Sequence, residues 1–285
     1  MEKATHETLR HEIEDAVRLA REKNPLAPSI TNTVTVNVVA NAQLAVGGSA
    51  AMIYLPDEGE TMAEVGDAMY INMGTLFPVY AETLPRTAKA LSRQGKPWVV
   101  DPVGIGTGGL RTSLLLGFRA EKPTIIRGNA SEIIALARLW ELCGGNAGVR
   151  GVDATDTVEE ARPAAIALAR HTGGAVAVSG VVDLVTDGKV MARAEGGSKF
   201  LSMITGGGCS LGGVTAVYAC VAAPFVAALT ATAIYNFAGV KAEKRAEGPA
   251  SFQTAFLDTL YRATPEDVSA QPFTLESVEK EEGHR

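Results

Sequence analysis

Apolar residues recur at Leu9, Ile13, Val17 and Ala20, three or four positions apart. That spacing puts them on one face of a helix, and it predicts a helix over residues 5–23 that Pro25 and Pro28 end. A second apolar-periodic segment covers residues 33–46 and stops at Gly47-Gly48. Short apolar runs then read as strands at 51–55, 67–72, 97–100, 123–126 and 175–179. They alternate with helical stretches at about 78–94, 109–118, 130–141 and 157–171. Such alternation predicts an α/β fold with a mostly parallel central sheet and helices on both faces. After residue 180 the pattern changes. Residues 181–186 and 189–194 flank Asp187-Gly188, the signature of a hairpin turn. Three Ala-rich helical stretches come next, at about 209–222, 225–244 and 251–261. The acidic tail from Pro265 is expected to be partly mobile. There is no internal repeat or low-complexity linker, so residues 1–285 are expected to form a single domain.

Composition changes this picture little. With 285 residues and 46% hydrophobic content there is ample material for a large core. A net charge of −6 offers no basic surface for nucleic acid or an anionic membrane. No run approaches the roughly 20 continuous apolar residues of a membrane helix. Residues 1–21 are charged and lack the apolar core of a signal peptide, so a cytoplasmic protein is expected. Asn129-Ala130-Ser131 then fits a glycosylation sequon by chance. Cys143, Cys209 and Cys220 have no CxxC spacing, which argues against a disulfide framework or a zinc site. His6, His11, His171 and His284 do not suit a histidine-based triad.

Three segments carry candidate chemistry. In Ile204-Thr205-Gly206-Gly207-Gly208-Cys209 a glycine-rich turn opens a small-residue helix. Glycines let backbone N–H groups converge, and a helix N-terminus adds positive potential, so the segment suits a phosphoryl group. It is not a Walker A loop, because no Lys-Ser or Lys-Thr comes after the glycines. A flexible loop before a core helix is the plainer alternative. In Val99-Val100-Asp101-Pro102-Val103-Gly104 an acid stands at the carboxyl end of a strand, where α/β proteins bind ligands. Asp101 there suits holding Mg²⁺ through water or orienting a substrate hydroxyl, or simply capping the next loop. The overlapping Gly104-Ile105-Gly106-Thr107-Gly108-Gly109 is a literal GxGxxG, but it lies mid-chain and lacks an acid about 20 residues on, so a dinucleotide site is disfavoured. In Arg127-Gly128-Asn129-Ala130-Ser131-Glu132, Asn129 and Glu132 share a helix face and suit a hydrated Mg²⁺ beside phosphates, with Arg127 on a phosphate. Plain capping, with Asn129 as N-cap and Glu132 in the capping box, is the simpler reading of the segment alone, and the two roles can hold together.

These segments fall in a longer series: Pro25-Leu26 and Ile30-Thr31-Asn32; Asn37, Ala40-Asn41 and Leu44-Ala45; the turn from Gly47 to Met52; Asn72-x-Gly74-Thr75-Leu76; Asp101 to Gly104 with Arg111-Thr112; Arg127 to Glu132; Arg150 to Asp153; Ser179-Gly180-x-Val182-Asp183; and Gly248-Pro249-x-Ser251-Phe252-Gln253. In that order, over about residues 25–260, they resemble the hydroxyethylthiazole kinases of the ribokinase-like fold. The resemblance implies ATP-dependent phosphorylation of the hydroxyl of 4-methyl-5-(2-hydroxyethyl)thiazole in thiamine salvage. It implies that Met52 and Asn32 touch the thiazole and that Arg127 and Ser179, with Asn129 and Thr205, hold ATP. Asp101 and Glu132 would organise Mg²⁺ and the phosphates. Gly206 would sit beside the substrate in an anion hole shared with Gly207 and Gly208. A homotrimer with sites at subunit contacts is also implied.

Cys209 stands where many ribokinase-like kinases carry an Asp general base and where thiazole kinases commonly carry Cys. A thiol with a pKa near 8.5 is mostly protonated at neutral pH. Proton transfer and simple packing both remain open for it. The chain departs from the family pattern at Ala27-Pro28, at Gly48-Ser49-Ala50-Ala51 and at Gly207, where Thr-Gly-Thr-Gly-Cys or Thr-Gly-Ala-Gly-Cys is usual. These departures leave room for a related small alcohol as substrate. An ATP-dependent hydrate dehydratase and a non-catalytic thiazole- or nucleotide-binding protein are the remaining alternatives.

Overall fold

The computed structural model describes residues 6–143 and 157–278. In chain order its elements are α1 (His6–Lys23), β1 (Ser29–Ile30), α2 (Val36–Ala45), α3 (Pro56–Val65), β2 (Met69–Asn72), α4 (Tyr80–Gln94), β3 (Trp98–Asp101), α5 (Gly109–Glu121), β4 (Ile125–Asn129), α6 (Ala130–Leu139), α7 (Val158–Thr172), β5 (Ala175–Ser179), β6 (Val182–Thr186), β7 (Val190–Glu195), α8 (Gly207–Ala219), α9 (Pro224–Glu243), α10 (Pro249–Arg262), α11 (Pro265–Ser269) and β8 (Phe273–Ser277). The strands form one sheet in chain order. Pairing is parallel from β1 to β5 and antiparallel from β5 to β8.

The parallel strands read as unbroken apolar runs because both faces of the sheet are covered. Side chains alternate between the faces. Tyr70, Val99, Ile125, Ala175 and Ala177 pack into a core under α1, α2, α8, α9 and α10. Their neighbours Met69, Ile71, Trp98, Val100, Ile126 and Val176 pack into a second core with α3 to α7. The same alternation places function. Asn72, Asp101, Arg127 and Ser179 each lie two residues beyond a member of the first set, so all four face α8 and α9; Asn72, Asp101 and Ser179 end β2, β3 and β5, and Arg127 lies two residues before the end of β4.

α9 is, among the described residues, the one helix long and apolar enough to cross a membrane, and 83% of its apolar window is buried inside the protein. Its all-round apolar character is that of a core helix.

Two expectations are corrected. Residues 51–55 are not a strand: Met52 meets Ser29 at an isolated bridge, because β1 is only two residues long and offers little edge to pair with. Beyond it lies a helix that the sequence pattern does not predict: Pro56 starts α3, as its missing N–H and fixed φ suit a first helical position. The tail from Pro265 is folded through β8, which pairs with β7 and extends the sheet. Phe273 anchors it, stacked on His6 at 5.0 Å with the Arg10 guanidinium 5.2 Å from its ring centre. The Arg150 to Asp153 motif lies outside the described residues.

Candidate active site

The side chains of Asn72, Asp101, Arg127 and Ser179 meet in one polar cluster on the α8 side of the sheet. Arg127 donates from one terminal nitrogen to Asp101 Oδ2 at 3.0 Å and from the other to Ser179 Oγ at 2.9 Å. Arg127 and Asp101 are both buried. Breaking such a pair leaves an uncompensated charge, so each fixes the other in place. Tyr70 donates its hydroxyl proton to the same Asp101 oxygen at 3.0 Å, and Asn72 Nδ2 approaches it at 3.3 Å. The second oxygen, Asp101 Oδ1, has no hydrogen-bond partner, and neither has Arg127 Nε. Buried polar atoms are rarely left so, and the exceptions invite an explanation in function.

The N-terminus of α8 lies over this cluster. Gly206 caps it with φ of +87°, and a Cβ there would stand 2.4 Å from Val38 Cγ1, so only glycine fits. A Cβ on Gly208 would come within 3.1 Å of the Arg127 guanidinium. The positive end of the helix and a buried guanidinium therefore face the same space, an arrangement that binds phosphate. Cys209, in the first turn, receives a hydrogen bond from Asn32 Nδ2 at 3.5 Å, and Asn32 also donates to Asn72 Oδ1 at 3.2 Å. A cleft of about 650 Å³ opens from here, lined by Arg127, Ser179, Gly207, Gly208, Asp183 and Lys199 among others.

Electrostatics reflect burial. Burial pushes the Asp101 carboxyl up from the ordinary carboxylate range, while Arg127, Tyr70 and Asn72 pull against it. Burial, then the Asp101 charge, pushes the Cys209 thiol up, so at neutral pH it is a thiol. Burial and Asp101 likewise push Glu132 up to about 7, against the N–H groups of Asn129 and Gly104 and the charge of Arg127. Glu132 accepts from Asn129 N and Asn129 Oδ1 accepts from Glu132 N, both at 2.9 Å, a complete capping box at the start of α6. The capping role of this pair is thus present in full, and the Gly104 contact ties it to the loop after Asp101.

The structure brings Arg127, Ser179, Asp101, Gly207, Gly208, Cys209 and Asn32 together, and Asn129 and Glu132 flank them. Thr205 does not line the large cleft. It borders a separate depression of about 320 Å³ with Asn37, Met203, Pro249 and Gln253. Met52 sits at its bridge to Ser29, half-buried against the α8-side core. Sequence reasoning assigns no role to Tyr70, or to Asp183, Lys199 and Asn236 on the cleft wall. Tyr70 reads as one more core residue in an apolar strand. Its parity with Asn72, two positions on, is the signal that marks it.

Residues 17–266 match the sequence profile of the hydroxyethylthiazole kinase family. The chain is 49% identical over 281 residues to the hydroxyethylthiazole kinase of Bifidobacterium longum (strain DJO10A), covering 92% of this chain and 90% of that one. The structure of a hydroxyethylthiazole kinase from Pyrococcus horikoshii OT3 superposes with a TM-score of 0.82 at 33% identity, covering 94% of this chain and 99% of the other. A ribokinase-like superfamily protein from Enterococcus faecalis V583 shares the fold alone, with a TM-score of 0.61 at 11% identity over 92% of this chain and 96% of the other. The fold is therefore ribokinase-like, and the chain belongs to the hydroxyethylthiazole kinase family.

Proposed function

We propose that this chain transfers the γ-phosphoryl group of ATP to the hydroxyl of 4-methyl-5-(2-hydroxyethyl)thiazole, a salvage step of thiamine synthesis. The observation that carries this reading is the N-terminus of α8 laid over the Arg127–Asp101 pair at the mouth of the large cleft. ATP lies in that cleft with Ser179 and Arg127 on its phosphates. The N–H groups of residues 207–209 meet the charge that grows on the transferred group. The bond from Pγ to the bridging oxygen of ADP breaks, a Pγ–O bond to the alcohol forms, and the hydroxyl proton passes late in the step to an oxygen of the transferred phosphoryl group and from there to water.

Cys209 is already protonated in its buried setting, so it has no free valence for that proton. A loose transition state needs little base help. We therefore assign Cys209 to positioning: with Asn32 it shapes the wall against which the alcohol rests. Met52 lies on the thiazole side, and Thr205 supports the anion loop from the far side rather than touching ATP.

The cluster fits Mg²⁺. Asp101 Oδ1 is an unpartnered buried acceptor, and Glu132 is a second carboxyl beside it whose ionisation a cation would favour. Among the described residues no group of three or more His, Cys, Asp or Glu stands together, which suits an ion held mainly by phosphates and water rather than by a protein cage. Bound there, Mg²⁺ would neutralise phosphate charge. Exposed apolar side chains at Val34, Leu44 and Met203 support a homotrimer with substrate sites at subunit contacts, as the resemblance implies. We place the enzyme in the cytoplasm, with its co-substrate ATP.

The test is ADP release on mixing the protein with ATP, Mg²⁺ and a panel of small alcohols. The thiazole alcohol should give the highest kcat/KM. A protein that releases ADP only with another alcohol would redirect the substrate, and one that releases none would remove the kinase reading.

A further inference from the structure

Asp101 can act only if one of its oxygens is presented to the ligand in a fixed direction. The hydrogen bonds around it form a one-way chain that does this. The N–H of Gly74 can only donate, and it donates to Asn72 Oδ1 at 2.9 Å. That settles which end of the Asn72 amide is oxygen. Asn72 Nδ2, a donor, then points at the Tyr70 hydroxyl at 2.8 Å. The hydroxyl accepts there, so its own proton goes to Asp101 Oδ2, 3.0 Å away. With Arg127 on the same oxygen, the carboxylate is pinned through Oδ2, and Oδ1 is left without a protein partner.

The ring that carries this hydroxyl is itself held by a shape match. Tyr70 is fully buried beneath α8. A Cβ on Gly212 would stand 2.3 Å from Tyr70 Cε2, 2.5 Å from Cζ and 2.7 Å from the hydroxyl oxygen. Tyr70 and Gly212 therefore fit only as a pair, and the missing side chain on the helix is what lets the phenol reach Asp101.

We propose that Tyr70 is a positioning residue for the phosphoryl transfer: seated under Gly212, it locks the Asp101 carboxylate so that Oδ1 faces the metal-bound phosphates. The inference rests on the kinase reading and on Mg²⁺ at Asp101. Tyr70→Phe keeps the ring and removes only the hydroxyl, so the fold should survive, which a thermal unfolding midpoint close to that of the parent would verify. We expect kcat to fall about tenfold, with KM for ATP and for the thiazole alcohol within about twofold. Affinity for ADP with Mg²⁺, read by calorimetry, should fall at least about threefold, and affinity for ADP in EDTA should not change. In an Asp101→Asn background Tyr70→Phe should have no further effect on either quantity. Gly212→Ala, which presses on the ring and spares every polar group of the chain, should reproduce the loss. A Tyr70→Phe protein with unchanged kcat and unchanged Mg²⁺–ADP affinity overturns the proposal. So does an equal loss in the Asp101→Asn background, which would make Tyr70 act independently of Asp101. If the parent protein phosphorylates no alcohol, the kinase reading fails, and the calorimetric comparison still decides whether Tyr70 orients Asp101.

Discussion

Glu132 combines two roles in one carboxyl. It closes the capping box of α6, and its pKa is raised to about 7 by burial and by Asp101. In the unfolded chain the same group titrates near its ordinary value of 4.5. Between these values the folded protein binds the extra proton, so stability from this group is complete below about pH 4.5 and is lost as pH rises to about 7. The loss is on the order of 3 kcal/mol. Glu132→Gln keeps an acceptor for the cap, so its denaturant midpoint should change less between pH 5 and pH 7.5 than that of the parent. It should also lose most turnover; activity near the parent level at limiting Mg²⁺ would mean that Glu132 is a cap and nothing more. Cys209 gives the opposite expectation. Cys209→Ala should retain kcat within about tenfold from pH 6 to 9, because a protonated thiol supplies position rather than a base. A larger loss that grows toward high pH, where the thiol ionises, would restore a proton-transfer role.

At the scale of elements, the end of the chain carries a prediction of its own. β8 is joined to the sheet by its ladder to β7, and to α1 by Phe273, which packs against His6 and Arg10. Phe273→Ala should cost about 2–4 kcal/mol and loosen this edge, read as a lower unfolding midpoint and as faster amide exchange in residues 190–195. The strand is illegible in the sequence because its residues, Phe-Thr-Leu-Glu-Ser, sit in an acidic stretch and gain their partner only from β7, some 80 residues earlier. α3 is illegible for another reason: it buries only Gly59 and Ala63, so no large apolar residues mark a helical period. The central strands β2 to β5 and the hairpin are legible because two buried faces demand continuous apolar runs and a tight turn demands Asp-Gly. In the site, charged and glycine-rich positions announce themselves. Tyr70 does not, since an aromatic residue inside a strand carries no mark of what its hydroxyl touches.

For the whole molecule, the exposed side chains of Val34, at 68%, Leu44, at 54%, and Met203, at 56%, are consistent with subunit contacts. Sedimentation should show a homotrimer at micromolar concentration, and charged substitutions at Leu44 and Met203 together should give smaller species with reduced kcat/KM. An active monomer would remove this assembly. The site has a further property that comes from where its parts lie along the chain. Tyr70, Asp101, Arg127, Ser179 and Cys209 are spread over 140 residues and meet only when β2 to β5 are in register and α8 has docked. Helices form from neighbours in sequence, whereas parallel strand pairing waits for long loops to close. During refolding the helical signal should therefore return well before turnover, and catalytic competence becomes the chain's own report that its slowest, most distant contacts are in place.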